Sequence, residues 1–238
     1  MSSNKVAVVV RWLIVLVMPF LVTFSLLRII ISWNSPDYPS FEYQRIAPDR
    51  YGFTLDQRLE YARASLDYLR LAEPADEAIK VLEALRLPGG QGSFYNEREI
   101  GHMHDVKEVT DAFKWATWIS GIVVALCLIF LLVKEERRVE GYKALFYGGA
   151  FTASVVLVVI VLILISWNFV FVQFHEILFP PNTWTFSYTD SLIRLFPEQF
   201  WFEFGVIWTV TILLAGLLIG VVGFLLLRKE GSLQLDKD

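Results

Sequence analysis

Two of the three histidines in this 238-residue chain fall within one short stretch, EIGHMHDVKEV at residues 99–109, and the third, His175, lies in FVQFHEILF. Imidazole titrates near neutrality, so it can accept and return a proton under physiological conditions, and a neighbouring carboxylate can hold its tautomer. His102 and His175, with Asp105, Glu176 and Asp190 nearby in the sequence, therefore make a candidate general acid–base site. Histidine and carboxylate are equally ordinary zinc ligands. Neither HxH nor an isolated FHE is a specific zinc signature, so spacing leaves both chemistries open. His102 and His104 do not share one task. On a helix they point about 200° apart, because each residue advances roughly 100°. His102 falls with Asp105, Val106 and Val109, and His104 with Lys107, Glu108 and Asp111. A single histidine near a membrane surface is usually structural; what favours chemistry here is that His102 and His175 flank different apolar runs.

The elements that must position these rings are membrane spans. Hydrophobic residues make up 55% of the chain and charged residues only 19%, and the mean hydropathy is +0.49. These values lie far from the soluble average. Four apolar stretches, 12–33, 115–133, 144–172 and 204–227, reach the roughly 20 residues that a helix needs to cross a hydrocarbon core of about 30 Å. The expected class is an all-α integral membrane protein with four transmembrane helices. A net charge of −4 gives no reason to expect a nucleic-acid partner. Lys5 and Arg11 before the first span, the KEERRVEGYK turn and Arg228 with Lys229 after the last carry the basic residues that are retained in the cytoplasm. Segments 1–11, 134–143 and 228–238 are accordingly read as cytoplasmic, and 34–114 and 173–203 as extracytoplasmic. All three histidines then belong to the outer face of the membrane. The first span lacks an A-x-A site and is too long for a signal peptide, so it is expected to stay attached. The single cysteine, Cys127, falls inside the second span, which leaves the outer segments without a disulfide or a cysteine nucleophile.

Segment 34–114 is too long for a plain connection and its pattern is that of an extracytoplasmic helical domain. In TLDQRLEYARASLDYL, Leu55, Leu59, Ala62, Leu66 and Leu69 recur at helical steps, with Thr54 and Gln57 spaced as a capping box. A second helix is expected from Pro74 to Leu87, stopped by PGGQG. A third starts at Asn96, with Glu99 at cap spacing and a stripe of Ile100, Met103, Val106, Val109 and Phe113, and runs on into the second span. Ser93, Ser187 and Ser191 are outer hydroxyls without a G-x-S-x-G context.

NEREIGHMHDVKEV ahead of a span, SWNFVFVQFHEILF after one, and NTWTFSYTDSLIRLFPEQFWFE together resemble the bacterial lipoprotein intramolecular transacylase family, Lit. The similarity extends over nearly the whole chain, and its specific parts are HM-x-DVK and the series FH…W…TD-x-LI-x-x-x-P. The resemblance implies two catalytic histidines, His102 and His175, with His104 at a variable position. Where an Asn-Asp pair is expected before the tryptophan, this chain has Asn182 and Thr183. It implies a diacylated lipoprotein as substrate, membrane lipids as surroundings and no cofactor or metal. The implied reaction moves the sn-2 acyl chain of a diacylglyceryl-cysteine to the α-amine of the same cysteine, giving a lyso-form lipoprotein. Ester and amine then arrive linked, and the enzyme must supply a base for an amine of pKa near 8 and an acid for the departing glycerol oxygen. Arg98, Asn168 and Trp184 lie close enough in sequence to be oxyanion donors, with Asp105 and Asp190 as supporting acids. A zinc-dependent membrane hydrolase, a serine acyl hydrolase and a non-enzymatic lipid-binding or scaffold protein are the alternatives.

Overall fold

In a computed structural model, which describes residues 3–33, 37–90 and 92–235, the protein is helical throughout its long elements. Gln91 of the PGGQG stop and the first residues of the outer segment, 34–36, lie outside the described residues. Among the described residues, four helices are long and apolar enough to cross a membrane: α1 (Ser3–Ser32), α6 (Glu97–Leu132), α7 (Glu135–Ile165) and α10 (Glu198–Leu235). Contacts divide the chain into two units, residues 1–27, 114–165 and 206–238 in one and 28–113 and 166–205 in the other.

The first unit is made of the apolar spans. Its buried side chains include Ile14, Met18, Val22, Val124, Leu131, Val156 and Ile212. Without a hydrophobic drive between helices in lipid, close packing of small residues is what joins them. Gly149 on α7 meets Gly216 and Gly220 on α10 so tightly that a Cβ at Gly149 would collide with the Gly220 backbone. Trp208 donates its indole N–H to the Thr23 carbonyl at 3.3 Å. Two sequence boundaries change. KEERRVEGYK is not a turn, because α7 starts at Glu135 and takes most of it into the helix. The apolar run 144–172 is not one helix either: α7 ends at Ile165, and Ser166, extended at φ −157°, accepts from the Phe169 N–H to start α8 (Trp167–Leu178). That hydroxyl cap begins the short helix that carries His175.

The second unit has its own core, in which Tyr43, Phe53, Tyr61, Tyr68, Phe94, Met103, Leu195 and Phe200 are buried together. Its helices are α2 (Tyr38–Glu42), α3 (Leu55–Arg70), α4 (Ala75–Ala78), α5 (Lys80–Glu83), the first turns of α6, α8 and α9 (Ser191–Leu195). The Thr54–Gln57 capping box of α3 forms in both directions. The expected stripe is met in part: Ala62 is fully buried and Leu59 and Leu69 pack against the core, but Arg58, Tyr61, Ser65 and Tyr68 complete the buried face and Leu55 is exposed. The aromatic rings decide this, since Tyr61 stacks on Phe94 at 3.8 Å between centroids and Phe94 on Phe53 at 5.6 Å. The helix expected from Pro74 to Leu87 is two single turns divided at Ile79, and the chain leaves it at Ala84 to pair Arg86 with Ser93. The charged turns of α6 ahead of Lys114 belong to this unit, and its apolar length from Trp115 supplies the span.

Candidate active site

The start of α6 is fixed by a reciprocal cap. The Asn96 side chain accepts from the N–H groups of Arg98 and Glu99, and Glu99 accepts from the Asn96 N–H at 2.7 Å. The second Glu99 oxygen accepts the Leu192 N–H at 2.7 Å, so one buried carboxylate ties α6 to the start of α9. Burial pushes that carboxyl above its ordinary range, and the two backbone donors work against the shift. One turn later come His102 and Met103, both buried, and Tyr68 of α3 donates its hydroxyl to the Met103 carbonyl at 3.1 Å. The other face of the helix carries His104, whose Nε2 lies 2.9 Å from an Asp76 oxygen. Lys107 departs from its polar reading: it is fully buried and donates to Asp111 and the Leu71 carbonyl.

His175 reaches His102 from α8. The rings lie 6.3 Å apart between centroids and 24° from parallel, while His104 belongs to a different cluster. His175 Nδ1 is 2.7 Å from the Phe171 carbonyl oxygen. A carbonyl only accepts, so Nδ1 carries the hydrogen and Nε2 of the neutral ring is left as the acceptor. His102 Nδ1 is buried and has no hydrogen-bond partner. Aromatic rings surround the pair. Phe179 and Phe186 stand 4.9 and 5.4 Å from His102, and Phe171 and Trp184 stand 4.1 and 4.9 Å from His175. Burial, and secondarily His175, lowers the His102 pKa to about 4. Burial also lowers that of His175, against the Phe171 hydrogen bond that raises it. Both rings are thereby kept neutral at pH 7, as proton acceptors must be.

The expected histidine–carboxylate cluster does not form: among the described residues, only His104 has a carboxylate within ion-pair distance. Asp105 lies 4.0 Å from His104 rather than against His102, and Glu176 accepts from Gln173 on an exposed face. Asp190 acts at one remove. It caps the turn by accepting the Ser187 N–H and holds Arg98 at 3.3 Å, and Arg98 lies over Phe186, which packs on His102. Asn168 is exposed two helical turns before His175. Trp184 returns to the site through the turn after Pro181, where Asn182 takes the left-handed conformation (φ 66°) that asparagine tolerates and Thr183 bonds the Pro180 carbonyl. Ser187 bonds Thr189, and neither it nor Ser191 bonds a histidine. One group of potential metal donors, His104, Asp105 and Glu108, brings atoms within 4.8 Å of one another, but it excludes the paired rings. The sequence reading missed Phe171 and Phe179. Both lie four residues from His175, on one face of α8, which was the available signal.

Fold and site define a multi-pass, all-helical membrane protein with a histidine pair, His102 buried and His175 half-buried. Residues 12–201 match the family model described as lipoprotein intramolecular transacylase Lit, and the chain belongs to that family. A protein of Aquifex aeolicus (strain VF5) with no described function is 28% identical over 203 residues, covering 83% of this chain and 88% of its own. The in meso structure of the membrane-integral lipoprotein intramolecular transacylase Lit from Bacillus cereus has the same fold. Its TM-score is 0.79 at 19% identity, over 97% of this chain and 100% of that one. A variant of that protein with a histidine replaced by alanine matches with a TM-score of 0.71 over 96% of this chain and 97% of its own, also at 19% identity.

Proposed function

We propose that the protein is an acyltransferase that moves the sn-2 acyl chain of a diacylglyceryl-cysteine lipoprotein to the N-terminal amine of the same molecule, with His102 and His175 as its acid and base. The observation that carries this reading is the neutral, nearly parallel histidine pair inside an aromatic shell. The ester C–O bond breaks, the amide C–N bond forms, and the amine proton ends on the glycerol oxygen. No water is consumed and no acyl-enzyme is needed. His175 is the base, because its Nδ1–H is held by the Phe171 carbonyl and Nε2 is the free acceptor. His102 then relays a proton to the departing alkoxide. Trp184, whose indole N–H is uncommitted among the described residues and whose ring lies 4.9 Å from His175, is the donor assigned to the oxyanion. The aromatic rings around the pair limit its contact with water, which favours aminolysis over hydrolysis. Mass spectrometry of one lipoprotein from cells with and without this protein tests the reading: the expected product carries an N-acyl chain and one free glycerol hydroxyl. An unchanged lipoprotein would overturn it.

The rate follows two protonation steps. An amine of pKa near 8 makes log rate fall by about one per pH unit on its acid side. A second unit of slope requires protonation of a histidine, and both rings titrate below the ordinary imidazole value of 6.5. The neutral, active form therefore persists below pH 6.5, and the second break appears only at lower pH. A second break at or above 6.5, beyond that of the amine, would contradict the lowered pKa values of the paired rings.

The basic flanks give the orientation: both termini are cytoplasmic, and the histidines act at the outer face. In a Cys127→Ser background, a cysteine replacing Ser93 reacts with an impermeant thiol reagent on intact cells, and one replacing Ser232 does not. The reverse labelling would invert the topology.

A further inference from the structure

Arg58 is only 2% exposed, yet among the described residues no carboxylate lies within ion-pair distance of it. Its guanidinium stacks over Tyr43 at 4.1 Å and donates from Nη1 to the Ala47 carbonyl at 3.2 Å, while Nε is buried with no hydrogen-bond partner. Its five N–H donors are thus met by one carbonyl, the Tyr43 hydroxyl and a ring face, and a buried cation without a counter-charge is costly. Arg58 lines a pocket of about 150 Å³ with Tyr43, Ile46, Asp49, Phe53 and Leu55. The acid in that wall is already spent. Asp49 binds Arg194 through both oxygens, at 3.2 and 2.9 Å, and accepts the N–H groups of Tyr51 and Phe53. Around the pocket, Arg194 and Asp49 cancel, and Arg58 leaves one positive charge. The first turn of α3, with its partial positive charge, opens on the same wall at Leu55.

We infer that this pocket is a binding site for a phosphate-type oxyanion, free or as the head group of an anionic phospholipid, with Arg58 as its counter-charge. The site is separate from the histidine pair and does not depend on the proposed reaction. A phosphate group in the pocket supplies the missing counter-charge, and the guanidinium fork suits its geometry.

The test is the thermal unfolding of the full-length protein in neutral, lipid-free detergent micelles. It is run with inorganic phosphate, with added phosphatidylglycerol, and with sodium chloride at matched ionic strength. Phosphate or phosphatidylglycerol is expected to raise the wild-type unfolding temperature with saturation, and the arm that does so names the source. The Arg58→Met variant is expected to unfold no lower than the wild type without ligand, and to lose the ligand-dependent rise. Equal shifts in chloride, equal shifts in the variant, or no saturable shift in either arm would overturn the site. Should Arg58→Met not fold, Arg58→Gln takes its place, and saturable broadening of the phosphate ³¹P resonance is read with and without the substitution. Broadening that survives in the variant, or is absent from the wild type, also overturns the proposal.

Discussion

His102→Ala and His175→Ala each lower acyl transfer by about 10²–10⁴-fold, the usual contribution of a positioned acid or base, while His104→Ala, at a half-buried position away from the pair, stays within about twofold. The contrast comes from α6 itself. Two residues apart in sequence, His102 lies 6.3 Å from His175 and His104 is held by Asp76 on the other face. If the two paired rings work as one relay, the double alanine variant is no worse than either single one, because removing either group already breaks the path. Rates are compared at equal amounts of protein that elutes monodisperse in detergent. Equal loss in His104→Ala would mean that the separation by helix face has no catalytic meaning.

Glu99→Ala destabilises the second unit more than any other single truncation on this face of α6. It leaves the buried Leu192 N–H without its acceptor and removes the reciprocal cap on Asn96, at a cost of about 1–3 kcal/mol for each orphaned backbone group. Glu99→Gln keeps one carbonyl acceptor and is milder. The ranking is read from thermal unfolding of the three proteins, and acyl transfer falls with the folded fraction. Unchanged unfolding of Glu99→Ala would show that the α6–α9 link carries little of the stability.

Hydropathy made the four apolar helices legible, and the Thr54–Gln57 and Asn96–Glu99 spacings made two helix starts legible. Local chemistry alone determines a cap. The division of 144–172 at Ser166 was not legible, because one serine within an apolar run reads as an ordinary span residue until its hydroxyl is seen capping Phe169. The pairing of His102 with His175 could be expected from their places beside different spans. Their orienting partner could not be. A backbone carbonyl four residues earlier has no signature in residue types, so the acids Asp105, Glu176 and Asp190 drew attention instead. Buried Lys107 and Arg58 were likewise invisible, since each is charged and sits on a helix whose apolar stripe suggested another face.

Purified protein, exhaustively chelated and given a synthetic diacylglyceryl-cysteine peptide, offers the most direct measurement: tandem mass spectrometry of the product. Intramolecular transfer by two histidines predicts a product of unchanged mass whose acyl chain has moved from the glycerol oxygen to the α-amine, at the rate seen before chelation. A peptide that loses one fatty acid to water, or transfer that vanishes with chelator and returns with zinc, would contradict it.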